Sequence, residues 1–224
     1  MKQIIIPKIT NTLEFPNPRE CAGDAPIAYG GDLSPQRLLL AYSMGIFPWF
    51  NKNDPILWWC PDPRMVLFLD EFKVRRSLAK KIRNGGFEVK LNSAFLDVIK
   101  MCGSVKREGQ EGTWITDDMI AAYNHLHKLG FAHSVETYIE GNLVGGLYGI
   151  AIGGVFFGES MFSQYNDASK VAFAYLVDHL KENEFELIDC QMNTSHLESL
   201  GAREIPRDEF LDIIGAAVKK ERRI

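Results

Sequence analysis

The stretch GGLYGIAIGGVFFGESMFSQYNDASKVAFAYLVDHLKENEFELIDCQ, residues 145–191, decides how the rest of the chain is read. It holds two apolar strands joined at Gly153-Gly154, a polar break, a helix, and a third strand ending in Asp189-Cys190-Gln191. Glu159, Asp189 and Gln191 stand inside this apolar run. A carboxylate is costly to bury unpaired, so such groups are either matched structurally or functional. Just upstream the apolar period becomes two: Val135, Thr137 and Ile139 alternate with Glu136 and Tyr138, and Glu140-Gly141-Asn142 supplies a hairpin turn. Strands over Leu143–Ile152 and Val155–Met161 continue an antiparallel meander. A helix over Asp167–Lys181 then crosses to a strand over Glu186–Met192. The fold class expected is α+β, with a mixed, mostly antiparallel sheet flanked by helices.

Composition sets wide limits. A chain of 224 residues with 46% apolar and 24% charged content is long enough for one large domain or two unequal ones. A formal net charge of −4 carries no global nucleic-acid signature, so such a partner requires a local basic patch. The 4 cysteines are scattered without a C-x-x-C pair, which suits reduced thiols better than disulfides or zinc. The N-terminal apolar run is too short for a signal peptide, and none approaches the roughly 20 residues of a membrane span. A cytoplasmic protein, without membrane association, is expected.

Toward the N-terminus, Gln3–Ile6 reads as a short strand. Ser34-Pro35 opens a helix, with serine as N-cap and proline at the first helical position. Leu38, Leu39, Ala41 and Tyr42 give it an apolar face, and Gly45 is placed to stop it. In IFPWFNKNDPILWWCPDPR, residues 46–64, three tryptophans are packed among prolines. Such a rigid surface suits a hinge or small core, or a platform for a base or substrate side chain. A domain boundary is expected near Asp62, giving a small N-terminal domain, 1–62, and a larger one, 63–224.

After a strand at Met65–Leu69, the run KVRRSLAKKIRN reads as an amphipathic helix with Val74, Leu78 and Ile82 on its apolar side. Lys73, Arg75, Arg76, Lys80, Lys81 and Arg83 occupy the rest, with no carboxylate between them. This is either a solvated face or a surface for phosphate backbone. Phe87–Leu91 reads as a strand, and Asn92–Met101 as a helix capped by Asn92 or Ser93 and stopped at Gly103. SVKREGQEGTW reads as a mobile loop, Thr116 as the cap of a helix ending at Gly130, and Pro206 as the start of a last helix.

Several site motifs fail on inspection. Gly158-Glu159-Ser160-Met161-Phe162 lacks the second glycine of a nucleophile elbow. His125 and His127, two apart on a helix, face different ways and cannot share a metal. No dinucleotide fingerprint or phosphate-binding loop is present.

The meander, crossing helix and returning strand resemble the middle of the GNAT-type acyltransferase fold. GNAT enzymes hold coenzyme A pyrophosphate with an R/Q-x-x-G-x-G/A loop, where this chain has FSQYNDASK. A donor other than coenzyme A is therefore expected. GGDLSPQRLLLAYSMGIFPWF, ILWWCPDPR, EGTWIT, HSVE, LVGGLYGIA, FFGESMFS, NDASK, LIDCQ and SLGAREIPR together closely resemble the leucyl/phenylalanyl-tRNA–protein transferase family. They span nearly the whole chain, with conservative departures such as Leu147 where methionine is common. The resemblance implies a small N-terminal domain followed by a GNAT-like catalytic domain. It also implies transfer of Leu, Phe or, less readily, Met from aminoacyl-tRNA to proteins with N-terminal Arg or Lys, marking them for N-degron degradation. No cofactor or metal is implied, and a monomer is expected. The alternatives are a GNAT-type N-acetyltransferase with a divergent donor loop and a non-catalytic tRNA-binding protein.

The residues suit that chemistry. The donor ester is already activated, so a covalent nucleophile is unnecessary; what is needed is a neutral amine held on the carbonyl. An amine of pKa near 8 is neutral in roughly a tenth of molecules at pH 7. Asp189 and Gln191, two apart on a strand, should leave the same face. The resemblance implies that Asp189 orients Gln191, whose amide oxygen steers the amine. Glu159 would complete the cluster, at the acceptor's cationic end. Gly145, Gly146 and Gly149 are read as leaving a hollow over the sheet. Leu147, Phe156, Ile188 and Trp114 match pocket positions of the family, and Ser160 is a further substrate-binding candidate. Trp49 and Tyr42 are candidates to stack on the terminal adenine, with the tRNA body along Lys73–Arg83.

Overall fold

Why a carboxylate can stand in the middle of this chain follows from how its sheet is assembled. In the computed structural model, which describes residues 5–105 and 113–224, the strands β1 (Lys8–Ile9), β2 (Ala28–Gly30), β3 (Phe47–Pro48) and β4 (Leu57–Trp59) form a small sheet ordered β1-β2-β4-β3. Helix α1 (Pro35–Ser43) lies between β2 and β3. The chain continues through β5 (Arg64–Phe68), α2 (Arg76–Asn84), β6 (Glu88–Leu91), α3 (Phe95–Ser104), α4 (Asp117–Lys128), β7 (Ala132–Ile139), β8 (Asn142–Ile152) and β9 (Val155–Ser163). Then come α5 (Ala168–Glu182), β10 (Leu187–Gln191), α6 (Ser195–Glu198), β11 (Arg203–Ile205) and α7 (Arg207–Ala217). The large sheet has the order β11-β5-β10-β9-β8-β7-β6, antiparallel except where β10 returns parallel to β9. This is the α+β arrangement expected, with meander, crossing helix and parallel return.

Alternation along the strands divides the core. Leu147, Phe156 and Ile188 join the apolar cluster under α5, whereas neighbouring Tyr148 and Phe157 join the cluster shared with α1, α3, α4 and the small sheet. Each fully buried Leu, Ile or Phe side chain contributes about 1.5–3 kcal/mol, so both faces of the central strands are held strongly. Gly45, at φ +73°, ends α1; a Cβ there would lie 2.8 Å from the Phe210 ring, so this glycine also admits α7. Thr116 caps α4 by accepting from the Met119 N–H at 3.3 Å.

Several local readings change. Residues 3 and 4 of the expected first strand, Gln3–Ile6, lie outside the described residues, and the first strand falls at Lys8–Ile9 instead. The basic helix begins at Arg76 because Arg75 is extended, so Val74 precedes it and Leu78 is its buried residue. Helix α3 begins at Phe95 and runs past Gly103 to Ser104. The expected caps have other work: Asn92 pairs with His133 and the Ser134 N–H, while the Ser93 hydroxyl donates to Glu136. Glu136, which alternates with Val135 and Thr137 along β7, is fully buried, and its carboxylate also accepts from the Ala94 N–H at the start of α3. Most of the expected mobile loop, residues 106–112, lies outside the described residues.

Candidate active site

Strands β9 and β10 pair at Leu187↔Val155, Ile188↔Phe156 and Asp189↔Phe157, and then part. Both are irregular there. On β9, Tyr148 of β8 faces Ser160 and Gly149 faces Gly158, so Glu159 is the extra residue of a β-bulge. On β10, the pairing with β5 shifts between Asp189 and Gln191, and Gln191 adopts the left-handed φ of +63°. A cavity of about 470 Å³ occupies the fork. On the α5 side it is walled by Leu147, Phe156, Phe173, Leu176 and Ile188; on the other side by Phe47, Trp49, Trp114 and Tyr148.

The two carboxylates of the fork are held differently. Arg64 donates from Nε to Asp189 Oδ1 at 2.8 Å and from Nη2 to Oδ2 at 2.7 Å, with both side chains fully buried. Its guanidinium lies over the Phe47 and Phe210 rings, at 4.9 and 4.6 Å from their centroids. Burial would lower the guanidinium pKa, but the Asp189 carboxylate outweighs it and the net displacement is upward. Asp189 Oδ1 also accepts the Gln191 backbone N–H at 2.9 Å, fixing the strained residue by its main chain.

Glu159 has neutral partners. Its Oε1 accepts from Tyr42 at 2.7 Å and from Gln191 Nε2 at 2.8 Å, and its Oε2 from Tyr123 at 3.1 Å. The two tyrosine hydroxyls also bond to each other. Burial pushes the Glu159 carboxyl up to about 7, against the pull of those three hydrogen bonds and with a further push from Asp189. Burial likewise raises both phenols well above their ordinary range.

Trp49, Trp114, Leu147, Phe156, Ser160 and Ile188 come together around the cavity. Tyr42 does not serve as a stacking platform: it is fully buried, edge-on to Phe157, and its hydroxyl is spent on the Glu159 network. Gly145 and Gly146 leave no hollow. A Cβ on Gly145 would lie 2.5 Å from Ala168 Cβ, and on Gly146 2.8 Å from Val135 O, so these glycines admit neighbouring elements. Gly149 is filled by the Phe156 ring. Asp189 meets Gln191 through the backbone N–H rather than the side-chain amide, because the bulge breaks the simple two-residue alternation. Among the basic residues, Lys73, Arg75, Arg76, Lys80 and Arg83 are exposed, while Lys81 turns to Asp167 at 2.9 Å.

Arg64, Tyr123, Phe173 and Leu176 are site residues that reading the sequence missed. A cation for Asp189 was implied by the cost of an unpaired buried carboxylate; nothing local singled out Arg64 or Tyr123. Among the described residues, no three His, Cys, Asp or Glu side chains gather as they would around a metal ion.

A family model described as leucyl/phenylalanyl-tRNA protein transferase matches residues 66–215, and that of the family's N-terminal domain matches residues 31–62. The chain belongs to the leucyl/phenylalanyl-tRNA–protein transferase family. Relatives carrying that name include one from Nitrosospira multiformis, 61% identical over 82% of this chain and 79% of its own. Another, from Sulfurimonas denitrificans, is 53% identical over 93% of this chain and 91% of its own. A third, from Syntrophotalea carbinolica, is 56% identical over 92% and 90%. Membership in the leucyl/phenylalanyl-tRNA–protein transferase family places the chain among the aminoacyltransferases. Similar solved structures include FemX, with TM-score 0.48 and 12% identity over 81% of this chain and 71% of that one. A GCN5-related N-acetyltransferase from Kribbella flavida has TM-score 0.39 and 11% identity over 77% and 61%. At such scores neither bears on the site's chemistry. No helix among the described residues is long and apolar enough to cross a membrane.

Proposed function

We propose that this chain transfers Leu, Phe and, less readily, Met from charged tRNA to the N-terminal Arg or Lys of acceptor proteins. It acts as a cytoplasmic monomer, and the product is marked for N-degron degradation. The observation that carries this reading is the forked cavity, apolar at one end, aromatic at the other, with Gln191 at its edge. The end walled by Leu147, Phe156, Phe173, Leu176 and Ile188 suits an apolar donor side chain unbranched at Cβ, whose burial is worth about 1.5–3 kcal/mol. Valine and isoleucine are excluded by shape. Trp49 and Trp114 offer faces for the terminal adenine at the other end. Phosphates of the tRNA body follow Lys73, Arg75, Arg76, Lys80 and Arg83, with Lys81 nearby, and such contacts tolerate several tRNAs because phosphates carry no sequence. On this reading residues 1–62 contribute Trp49, and 63–224 contribute the reactive edge.

In the reaction the acceptor amine attacks the ester carbonyl, the amide bond forms, and the ribose hydroxyl leaves. A carboxylate only accepts hydrogen bonds, so Gln191 must turn Nε2 to Glu159 and leave Oε1 for the amine. An amide is a very weak base, so Gln191 chiefly orients the amine lone pair, and the leaving ribose oxygen receives a proton. Asp189, enclosed by Arg64, acts as a positioning residue through the Gln191 N–H. Glu159 aims the Gln191 amide, and its charge favours the acceptor's cationic end.

The test is incubation with labelled leucyl-tRNA and an Arg-initiated peptide. Label should enter the peptide, and uncharged tRNA plus free leucine should not replace the donor. No transfer under these conditions would sink the proposal, and tRNA-independent acetylation from acetyl-coenzyme A would favour an N-acetyltransferase instead.

A further inference from the structure

Within strands β8 and β9, Gly158 is the glycine whose Cβ the surrounding fold does not exclude. A Cβ on Gly145, Gly146, Gly149 or Gly153 would fall within 2.3–2.8 Å of other atoms. A Cβ on Gly158 would meet Asp189 O at 3.5 Å and Ile188 Cγ2 at 3.7 Å, which is ordinary contact. Its φ lies outside the left-handed range, and the extra residue of the bulge is Glu159. A glycine inside a strand is less stable than alanine and marks a bulge, a bend or close approach by another group. Here the strand neighbours leave room, and Gly158 lines the cavity where β9 leaves β10.

The shape of the cavity says what approaches. Its apolar wall lies on the α5 face of the sheet, and Trp49 and Trp114 lie on the opposite face. A donor occupying both ends must pass between β9 and β10, and the part that crosses is the aminoacyl ester joining side chain to ribose. We infer that Gly158 is the clearance for that ester, a positioning residue that lets the planar carbonyl lie against β9 beside Gln191. This rests on the proposed transferase reading. Alanine would add one methyl group to the passage and displace the ester from the amine. Misplacement by about 1 Å costs on the order of 10²-fold in rate.

The experiment compares wild type with Gly158→Ala. It measures thermal unfolding, affinity for deacylated tRNA, affinity for a non-hydrolysable phenylalanyl-adenosine amide, and kcat/KM for transfer to an Arg-initiated peptide. The variant should melt no lower than wild type and bind deacylated tRNA equally. Its affinity for the amide should fall, and kcat/KM should drop about 10²-fold. Transfer within threefold of wild type overturns the inference while leaving the transferase reading intact. A variant that no longer folds also overturns it, since the glycine would then serve the fold. Absence of transfer by the wild type removes the transferase reading, and the inference with it.

Discussion

Asp189 and Glu159 stand on neighbouring strands of one fork, and their surroundings differ in kind. Asp189 is fully buried against a cation clamped between Phe47 and Phe210, so the pair is neutral as a unit. Glu159 meets two phenols and an amide, all neutral donors, and titrates near neutrality. A fixed counter-ion makes a carboxylate part of the frame. Neutral donors leave its charge adjustable, which suits a group beside an amine that must lose a proton.

The sharpest way to break this contrast is to remove the cation. Arg64→Met leaves Asp189 buried without its partner and should cost about 3–5 kcal/mol, read by urea unfolding. Replacing both members, Arg64→Met with Asp189→Leu, should restore most of that stability, because an apolar pair needs no counter-charge. The double variant should still transfer poorly, since the Gln191 N–H has lost its acceptor. A single variant destabilised by less than 1 kcal/mol would show that Asp189 does not depend on Arg64.

A smaller effect separates the two carboxylates by pH. Glu159 has a folded pKa of about 7 against an ordinary 4.5, so the folded chain binds more protons between those values. Its contribution to stability is therefore full below about pH 4.5 and is lost as pH rises through 7. Glu159→Gln cannot ionise, so between pH 5 and 8 it should gain on wild type by about 1–3 kcal/mol. Equal slopes of stability against pH in both proteins would assign the titration elsewhere. In transfer assays the variant should lose the Glu159 inflection near neutrality and keep the limb set by the acceptor amine.

The same contrast marks how far the sequence could be read. The meander and crossing helix were legible because alternation and the Gly141 and Gly153-Gly154 turns are local signals. Leu147, Phe156, Ile188 and Trp114 were reached through the family resemblance, and Trp49 through the aromatic, proline-rich segment around it. Glu159, Asp189 and Gln191 stood out as polar groups in an apolar run, but their partners did not: Arg64 and Asp189 are far apart in the chain, and Tyr42 and Tyr123 sit on separate helices whose apolar faces look ordinary. The glycines misled for a related reason. The sequence announces a missing side chain, but whether the space holds Ala168, a Phe156 ring or a substrate depends on packing from elsewhere.

The finest test of the contrast lies in the proton count around Glu159. Tyr42 and Tyr123 each contact the carboxylate and also each other, so three contacts share whatever protons the three groups carry. With Glu159 ionised the two hydroxyls supply two protons, one fewer than the contacts require; a protonated carboxyl supplies the third. That shortage works against ionisation, but the net effect of both phenols is to lower the Glu159 pKa, and burial supplies the upward displacement. Tyr123→Phe removes one hydroxyl and the ionised carboxylate's weaker donor, at 3.1 Å. It should cost about 1 kcal/mol of stability at pH 8, as expected for one hydrogen bond. Because Tyr123 helps hold the ionised form, the pKa of Glu159 should rise further, moving the transfer profile toward higher pH. A profile that moves toward lower pH would mean that the triangle opposes ionisation more strongly than the lost donor supports it.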